Sequence, residues 1–259
     1  MTPMRTTATA DTGTQTAPLS RRAELRRATL AEIKALARAQ LAEHGPGGLS
    51  LRAIARQMRM ASSALYRYYA SASELITALV LDAYNSLADT LAAARDGAPA
   101  ADPAAQWWAI CHAYRQWALG HRSDFALIFG TPVPGYHAPD ETTAAAAGRA
   151  TAVALTVYAA AVTAGAADPG RTQIPAAIET GELLPALLAD AAPGCPPQLA
   201  AITLTAYASL LGYLNTEIFG SLPRLVADPA GLYAAHVRTV MLGMGFTPTP
   251  TLVPAAGQR

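Results

Sequence analysis

Residues 49–75 read LSLRAIARQMRMASSALYRYYASASEL, and the fold turns on how this run is parsed. Ser50 stands where a helix N-cap belongs, because its hydroxyl can accept from a first-turn N–H that has no partner inside the helix. Leu51, Ile54, Ala55 and Met58 then recur at the three- and four-residue spacing of one helical face, which predicts a short helix. A second short helix is predicted from Ser62 to about Tyr69, with Leu65 and Tyr69 turned inward. Ser71-Ala-Ser-Glu74 has the form of a capping box, so a longer helix starts at about Ala72 and runs to about Arg95.

Helix, three- to four-residue turn, helix is the geometry in which a second helix enters the DNA major groove while the first crosses the backbone. Ile54, Ala55, Met60 and Leu65 can form the small core that fixes the angle between the two helices. Arg52, Arg56, Arg59 and Arg67 attract phosphate, and the run holds no acid before Glu74. Ser62, Ser63 and the tyrosines are short or rigid hydrogen-bonding groups for bases and phosphates. An ordinary helical hairpin with a solvated basic face would carry the same pattern. The charge split favours a polyanion. Residues 1–70 hold 11 Lys/Arg against 4 Asp/Glu, net +7, and residues 71–259 hold 8 against 14, net −6, which the whole-chain +1 conceals.

Outward from this run, Leu25, Ile33, Leu36, Ala37 and Leu41 predict one helix from Arg21 to His44, ended by Gly45-Pro-Gly-Gly48. Downstream, helices are predicted at about 103–120, 122–129, 140–166, 197–219 and 229–244. TPVPGYHAP (131–139) forms a rigid connection. No strand-period run or internal repeat occurs, so the fold class is all-α. The expected organisation is a disordered tail at 1–20, a DNA-binding domain at 21–70, a larger helical domain at 71–245 and a tail at 246–259. Residues 150–167 and 191–216 lack charge, but the first is mainly Ala and Thr and the second is broken by prolines, so buried helices are expected and no membrane span. Cys111 and Cys195 form no CxxC pair, and no signal peptide precedes them. A cytoplasmic chain with free thiols is expected.

The run IARQMRMASSALYRYYASASEL resembles the DNA-binding segment of the tetracycline-repressor (TetR/AcrR) family, whose pattern is roughly IA-x-x-x-G-V-S-x-x-x-L-Y-x-[HY]-F-x-x-K-x-x-L. Ile54, Ala55, Leu65, Tyr66, Tyr68, Tyr69 and Leu75 match by identity or type. Three positions depart from it. Arg59 replaces the turn glycine, which strains the turn if φ there is positive. Ala61 replaces the usual serine cap, and Ala72 replaces a phosphate-gripping lysine. The resemblance implies that Arg52 faces the groove, that Ser62, Ser63 and Ala64 begin the base-facing helix, and that Tyr66, Arg67 and Tyr68 contact phosphate, with Arg59 a substitute contact. Residues 113–136 and 206–220 are similar to the WHG-type ligand-binding domain of one branch of the family. The naming triplet is degraded there, with Tyr207 for Trp, Leu211 for His and only Gly212 kept.

In the larger domain the aromatic residues suit an apolar cavity with a few polar anchors. An effector site is expected among Trp108, His112, Trp117, Phe125, Phe129, Tyr158 and Tyr207, with His112, Arg115, His121 and Asn215 as candidate anchors and the 131–139 connector able to close over its opening. The occupant would be a small apolar or aromatic molecule. Adjacent Cys111 and His112 diverge on a helix and His112 and His121 are nine residues apart, so neither spacing makes a metal site. No nucleophile elbow, phosphate loop or partnered carboxylate pair is present, so no enzyme, cofactor or metal is expected. Small residues at 197–219 and 229–244 let helices approach closely, and the resemblance implies a homodimer through them. The function expected is a ligand-responsive transcriptional regulator, a repressor that binds a palindromic operator in double-stranded DNA. An α-helical enzyme with incidental nucleic-acid affinity and an effector-less DNA-binding dimer are the alternatives.

Overall fold

The computed structural model describes residues 20–248 apart from 46, 132, 134, 180, 182–187 and 189–192. The two expected tails therefore lie outside the described residues, except Ser20 and residues 246–248. Ten α-helices are described: α1 (Arg21–His44), α2 (Leu51–Gln57), α3 (Ser62–Leu65), α4 (Ala72–Gly97), α5 (Pro103–Gly120), α6 (Arg122–Phe129), α7 (Asp140–Thr163), α8 (Pro197–Ile218), α9 (Leu222–Leu225) and α10 (Pro229–Gly243). A 3-10 turn covers Pro169–Arg171. The fold is all-α, and an isolated bridge between Ala167 and Phe246 is its one β contact among the described residues.

Local chemistry sets the helix ends. The hydroxyls of Ser20, Ser50 and Ser71 accept from the N–H groups of Ala23, Ala53 and Glu74. The Glu74 carboxylate reaches back to the N–H of Ala70, which closes the capping box one residue early. Asp102 and Asp228 cap α5 and α10, each with proline in the first turn, where its missing N–H costs nothing.

Two cores result. Ile33 and Ala37 of α1, Ile54 and Ala55 of α2, Leu65 of α3, and Leu75 and Leu79 of α4 form the smaller one. Leu87, Ala88 and Leu91, further along α4, join the larger core with residues of α5, α7, α8 and α10. One helix of 26 residues thus belongs to both cores. Around it, α5 and α7 pack on α4, α8 packs on α5 and α7, and α10 packs on α8 and α5.

The structure departs from the sequence expectations in four places. Leu25 is 70% exposed, because the first two turns of α1 project beyond the small core. The second helix of the motif has one α-turn, Ser62–Leu65, and continues as i→i+3 turns in which Arg67 and Tyr68 donate to Ala64 and Leu65. Phe246, placed at the start of the tail, is fully buried against Trp107 and Tyr158. The connector lies on α4 rather than over a cavity: Val133 packs on Ile76 and Val80, and the Tyr136 hydroxyl is 3.1 Å from that of Thr77. Thr142–Thr163 is long and apolar enough to cross a membrane, but in this fold α7 packs on α4, α5 and α8.

Candidate nucleic-acid interface and interior cleft

The motif is held from behind. Leu51, Ile54, Ala55, Leu65 and Tyr69 are buried, and Ala55 contributes the small side chain where α2 and α3 meet. Met60 is only half-buried and stands outside this core. Gln40 of α1 is buried, and its side-chain oxygen accepts from the Ser50 N–H at 2.9 Å, tying α1 to the start of α2.

The turn is a Schellman motif. The Met60 N–H donates to the Ala55 carbonyl at 2.9 Å and the Arg59 N–H to the Arg56 carbonyl at 3.1 Å. This arrangement needs a left-handed residue between them, and Arg59 supplies it at φ 54°, the one non-glycine positive φ among the described residues. The next helix starts at Ala61 with no side-chain cap. Two of the three departures from the family pattern therefore have structural consequences: Arg59 is strained and the helix start at Ala61 is uncapped.

The outer face presents the candidate DNA contacts. Arg52, Arg59, Ser62, Ser63, Tyr66 and Arg67 are exposed, whereas Ala64 and Tyr68 are half-buried. Among the described residues Arg52, Arg56, Arg59 and Arg67 form no ion pair, so their charge is available to a partner. Sequence reading overlooked a neighbour. Arg26 of α1 lies 5.3 Å from the centroid of the Tyr68 ring, so the exposed basic turns of α1, with Arg21, Arg22, Arg26 and Arg27, flank the motif. The signal was present in the clustered arginines of residues 21–27.

The larger domain contains a narrow cleft with a cavity volume of about 40 Å³ between α4, α5, α7 and α8. Leu87 and Leu91 line it from α4, Ala150 and Ala154 from α7, and Thr203, Tyr207 and Leu210 from α8. From α5 come Trp107, Ile110, Cys111 and Tyr114, at the spacing of one helical face. None of its lining residues is charged.

Of the seven residues expected around an effector, Tyr207 lines this cleft. Phe129 adjoins it, 6.3 Å from the rings of both Tyr114 and Tyr207, and Phe125 stands behind Phe129 at 5.2 Å. Trp117 is buried, with its indole N–H donating to the Ser86 hydroxyl, and the Tyr158 hydroxyl donates to the Met244 carbonyl. Trp108 and His112 lie on the next face of α5. There the His112 ring is 4.4 Å from Trp108 and 5.7 Å from Tyr233, and the Arg238 guanidinium sits 4.8 Å over Trp108. Burial lowers the His112 pKa, and Arg115 and Arg238 add to the shift. The other expected anchors are occupied within the fold. Arg115 pairs with buried Glu217, His121 Nδ1 lies 3.0 Å from the Trp117 carbonyl, and Asn215 donates to Leu211. Among the described residues no group of three His, Cys, Asp or Glu is placed to hold a metal ion.

Ion pairs link the two cores. The Arg38 guanidinium of α1 donates to buried Asp124 of α6 at 2.7 Å, and Lys34 donates to Asp82 of α4 at 2.8 Å.

Comparison with known proteins finds two family models that match this chain. Residues 33–79 match the family described as "Bacterial regulatory proteins, tetR family", and residues 107–240 match "Tetracyclin repressor-like, C-terminal domain". The HTH-type transcriptional regulator Rv1816 of Mycobacterium tuberculosis is 35% identical over 249 residues, covering 88% of this chain and 97% of that protein. The crystal structure of regulatory protein SCO4313 superposes with a TM-score of 0.66 at 35% identity, covering 86% of this chain and 99% of that one. A tetR-family regulatory protein from Rhodococcus RHA1 shares the fold, with a TM-score of 0.59 at 20% identity over 85% of this chain and 98% of its own.

Proposed function

This chain belongs to the tetracycline-repressor family of DNA-binding transcriptional regulators, and from that premise we propose that it is a ligand-responsive repressor. It binds a palindromic operator as a homodimer and releases it when a small apolar molecule enters the cleft. It acts in the cytoplasm by binding and not by catalysis. The observation that carries the DNA part is the exposed, unpaired arginine set around a rigid Schellman turn. Arg52 and Arg67 supply phosphate attraction, Tyr66 and Tyr68 fix register, and Ser62, Ser63 and Ala64 present the base-facing edge.

The dimer reading is supported by the outer faces of α8 and α10. Leu204, Thr205, Ala208, Ser209 and Gly212 are exposed on the first, and Leu232, Ala235, Thr239 and Leu242 on the second. None of these is charged. One motif per chain reads too few base pairs for a specific site, and two half-sites supply the rest. The effector reading is supported by the contact of the cleft tyrosines with Phe129 of α6, the helix that Arg38 grips from the DNA-binding side.

The test is operator binding against salt, on DNA selected by its protection. For 6–10 phosphate contacts per complex, affinity falls by about 10³–10⁵-fold between 50 and 200 mM salt. A curve flat with salt, or a one-to-one complex on a non-palindromic site, overturns the reading.

A further inference from the structure

We propose that the first two turns of α1 make a second DNA contact in each chain, in which Arg22 and Arg26 grip backbone phosphate beside the half-site read by the helix-turn-helix motif. This deepens the DNA-binding reading above and rests on it.

Helical geometry picks out the face. Arg22 stands about three turns before Ile33, and Arg26 about three turns before Ala37, so all four share one line along α1. Ile33 and Ala37 are fully buried in the small core, whereas Arg22 and Arg26 are exposed. The core-facing line of α1 therefore runs on past the edge of the core, and there it changes from apolar to cationic. A helix that carries charge only for solubility places it on the side away from the core. Charge along the inward line faces whatever lies beyond the core's edge.

The motif lies there. The Arg26 guanidinium carbon is 5.3 Å from the centroid of the Tyr68 ring, and Tyr68 packs half-buried at the rim of the same core, just beyond Leu65 of α3. Arg26 thus holds a side chain of the motif while its charge stays free. Among the described residues neither Arg22 nor Arg26 forms an ion pair. The acid between them, Glu24, is two residues from each and leaves the helix on the opposite side. The two arginines extend the unpaired cationic surface of Arg52, Arg59 and Arg67, and the occupant that complements such a surface is the phosphate backbone. Phosphate contacts position a protein on the duplex and carry no sequence information directly.

The test is Arg22→Ala/Arg26→Ala in the full-length protein. Both positions are exposed and alanine is the strongest helix former, so α1 should stay intact, with unchanged circular dichroism. DNA binding is titrated against salt for this variant, for the wild type and for Arg27→Ala, whose side chain leaves α1 about 100° around from Arg26. The double variant should lose about one unit of salt slope for each phosphate contact removed. Its affinities for operator and for an unrelated duplex should fall by the same factor, and selection from random DNA should return the wild-type base preference. Arg22→Lys/Arg26→Lys should recover most of the slope, and Arg27→Ala should leave it near the wild-type value. A double variant with the wild-type slope overturns the inference and leaves the motif as the DNA contact. An Arg27→Ala loss as large per charge as that of the double variant overturns it too, because the attraction is then diffuse and belongs to no face. A changed base preference overturns the assignment to phosphate. If the wild type itself shows no salt-dependent operator binding, the DNA-binding reading falls and takes the inference with it.

Discussion

Arg59 is a residue doing the work of a glycine. At φ 54° it closes the turn between α2 and α3, and its Cβ meets the steric conflict that makes this region unfavourable for L-residues by about 1–2 kcal/mol. Removing the side chain should relieve that strain. Arg59→Gly also widens the unfolded ensemble, which opposes the gain, so a net stabilisation of about 1 kcal/mol or less is expected. The melting temperature should rise by up to about 2–4 °C in calorimetry. Because the side chain is exposed beside Ser62 and Ser63, the same variant should lose about one unit of salt slope in operator binding. A lower melting temperature would mean that the arginine makes contacts worth more than its strain. An unchanged slope would assign its guanidinium to solvent. This position was legible in the sequence, since a bulky residue in a turn that wants glycine announces its own strain.

At the level of helices, legibility was uneven for a physical reason. Helix ends carry chemical markers, and Ser50 and Ser71 placed the starts of α2 and α4 correctly. The rotation of α5 carries no such marker. Trp107 and Trp108 are adjacent, Cys111 precedes His112, and both faces of the helix are apolar or aromatic, so periodicity cannot say which stripe meets the cleft. Packing against α7 and α8 decides it, and selects Trp107, Cys111 and Tyr114. The link from α6 to α1 was invisible for a related reason, since Arg38 and Asp124 are 86 residues apart. That link makes a prediction about elements. The cleft tyrosines touch Phe129 at one end of α6, and Asp124 near the other end holds α1, so α6 can transmit displacement between the two cores. Asp124→Asn should cost about 1–3 kcal/mol in urea denaturation, as a buried charge-assisted bond is weakened. It should also bring the ratio of operator affinities with and without a cleft ligand toward one. If that ratio stays at its wild-type value, the coupling runs through α4 alone.

At the level of the molecule, the charge division and the uncharged faces of α8 and α10 belong to one argument. A basic module of net +7 at one end gives each chain affinity for DNA, but specific recognition needs two modules at a fixed separation. The acidic body sets that separation only if two copies join through a surface that tolerates burial. Leu204, Leu232 and Leu242 are 40%, 41% and 49% exposed on helices whose outer faces carry no acid, and Ala208 and Gly212 between them allow close backbone approach. The Leu204→Glu/Leu242→Glu double variant places a carboxylate at two points on that surface without touching either core. Each chain should fold as before, with unchanged helical circular dichroism, because both positions already face outward. Sedimentation equilibrium should show a dimer for the native sequence and a monomer for the variant, since four carboxylates would be buried across the joined faces without counter-charge. Operator affinity should fall by about a hundredfold or more, because the second half-site contact no longer forms within one complex. Affinity for unrelated DNA should change far less, since phosphate attraction is a property of each basic module alone. A native chain that sediments as a monomer, or a variant that remains dimeric, would move the interface away from α8 and α10.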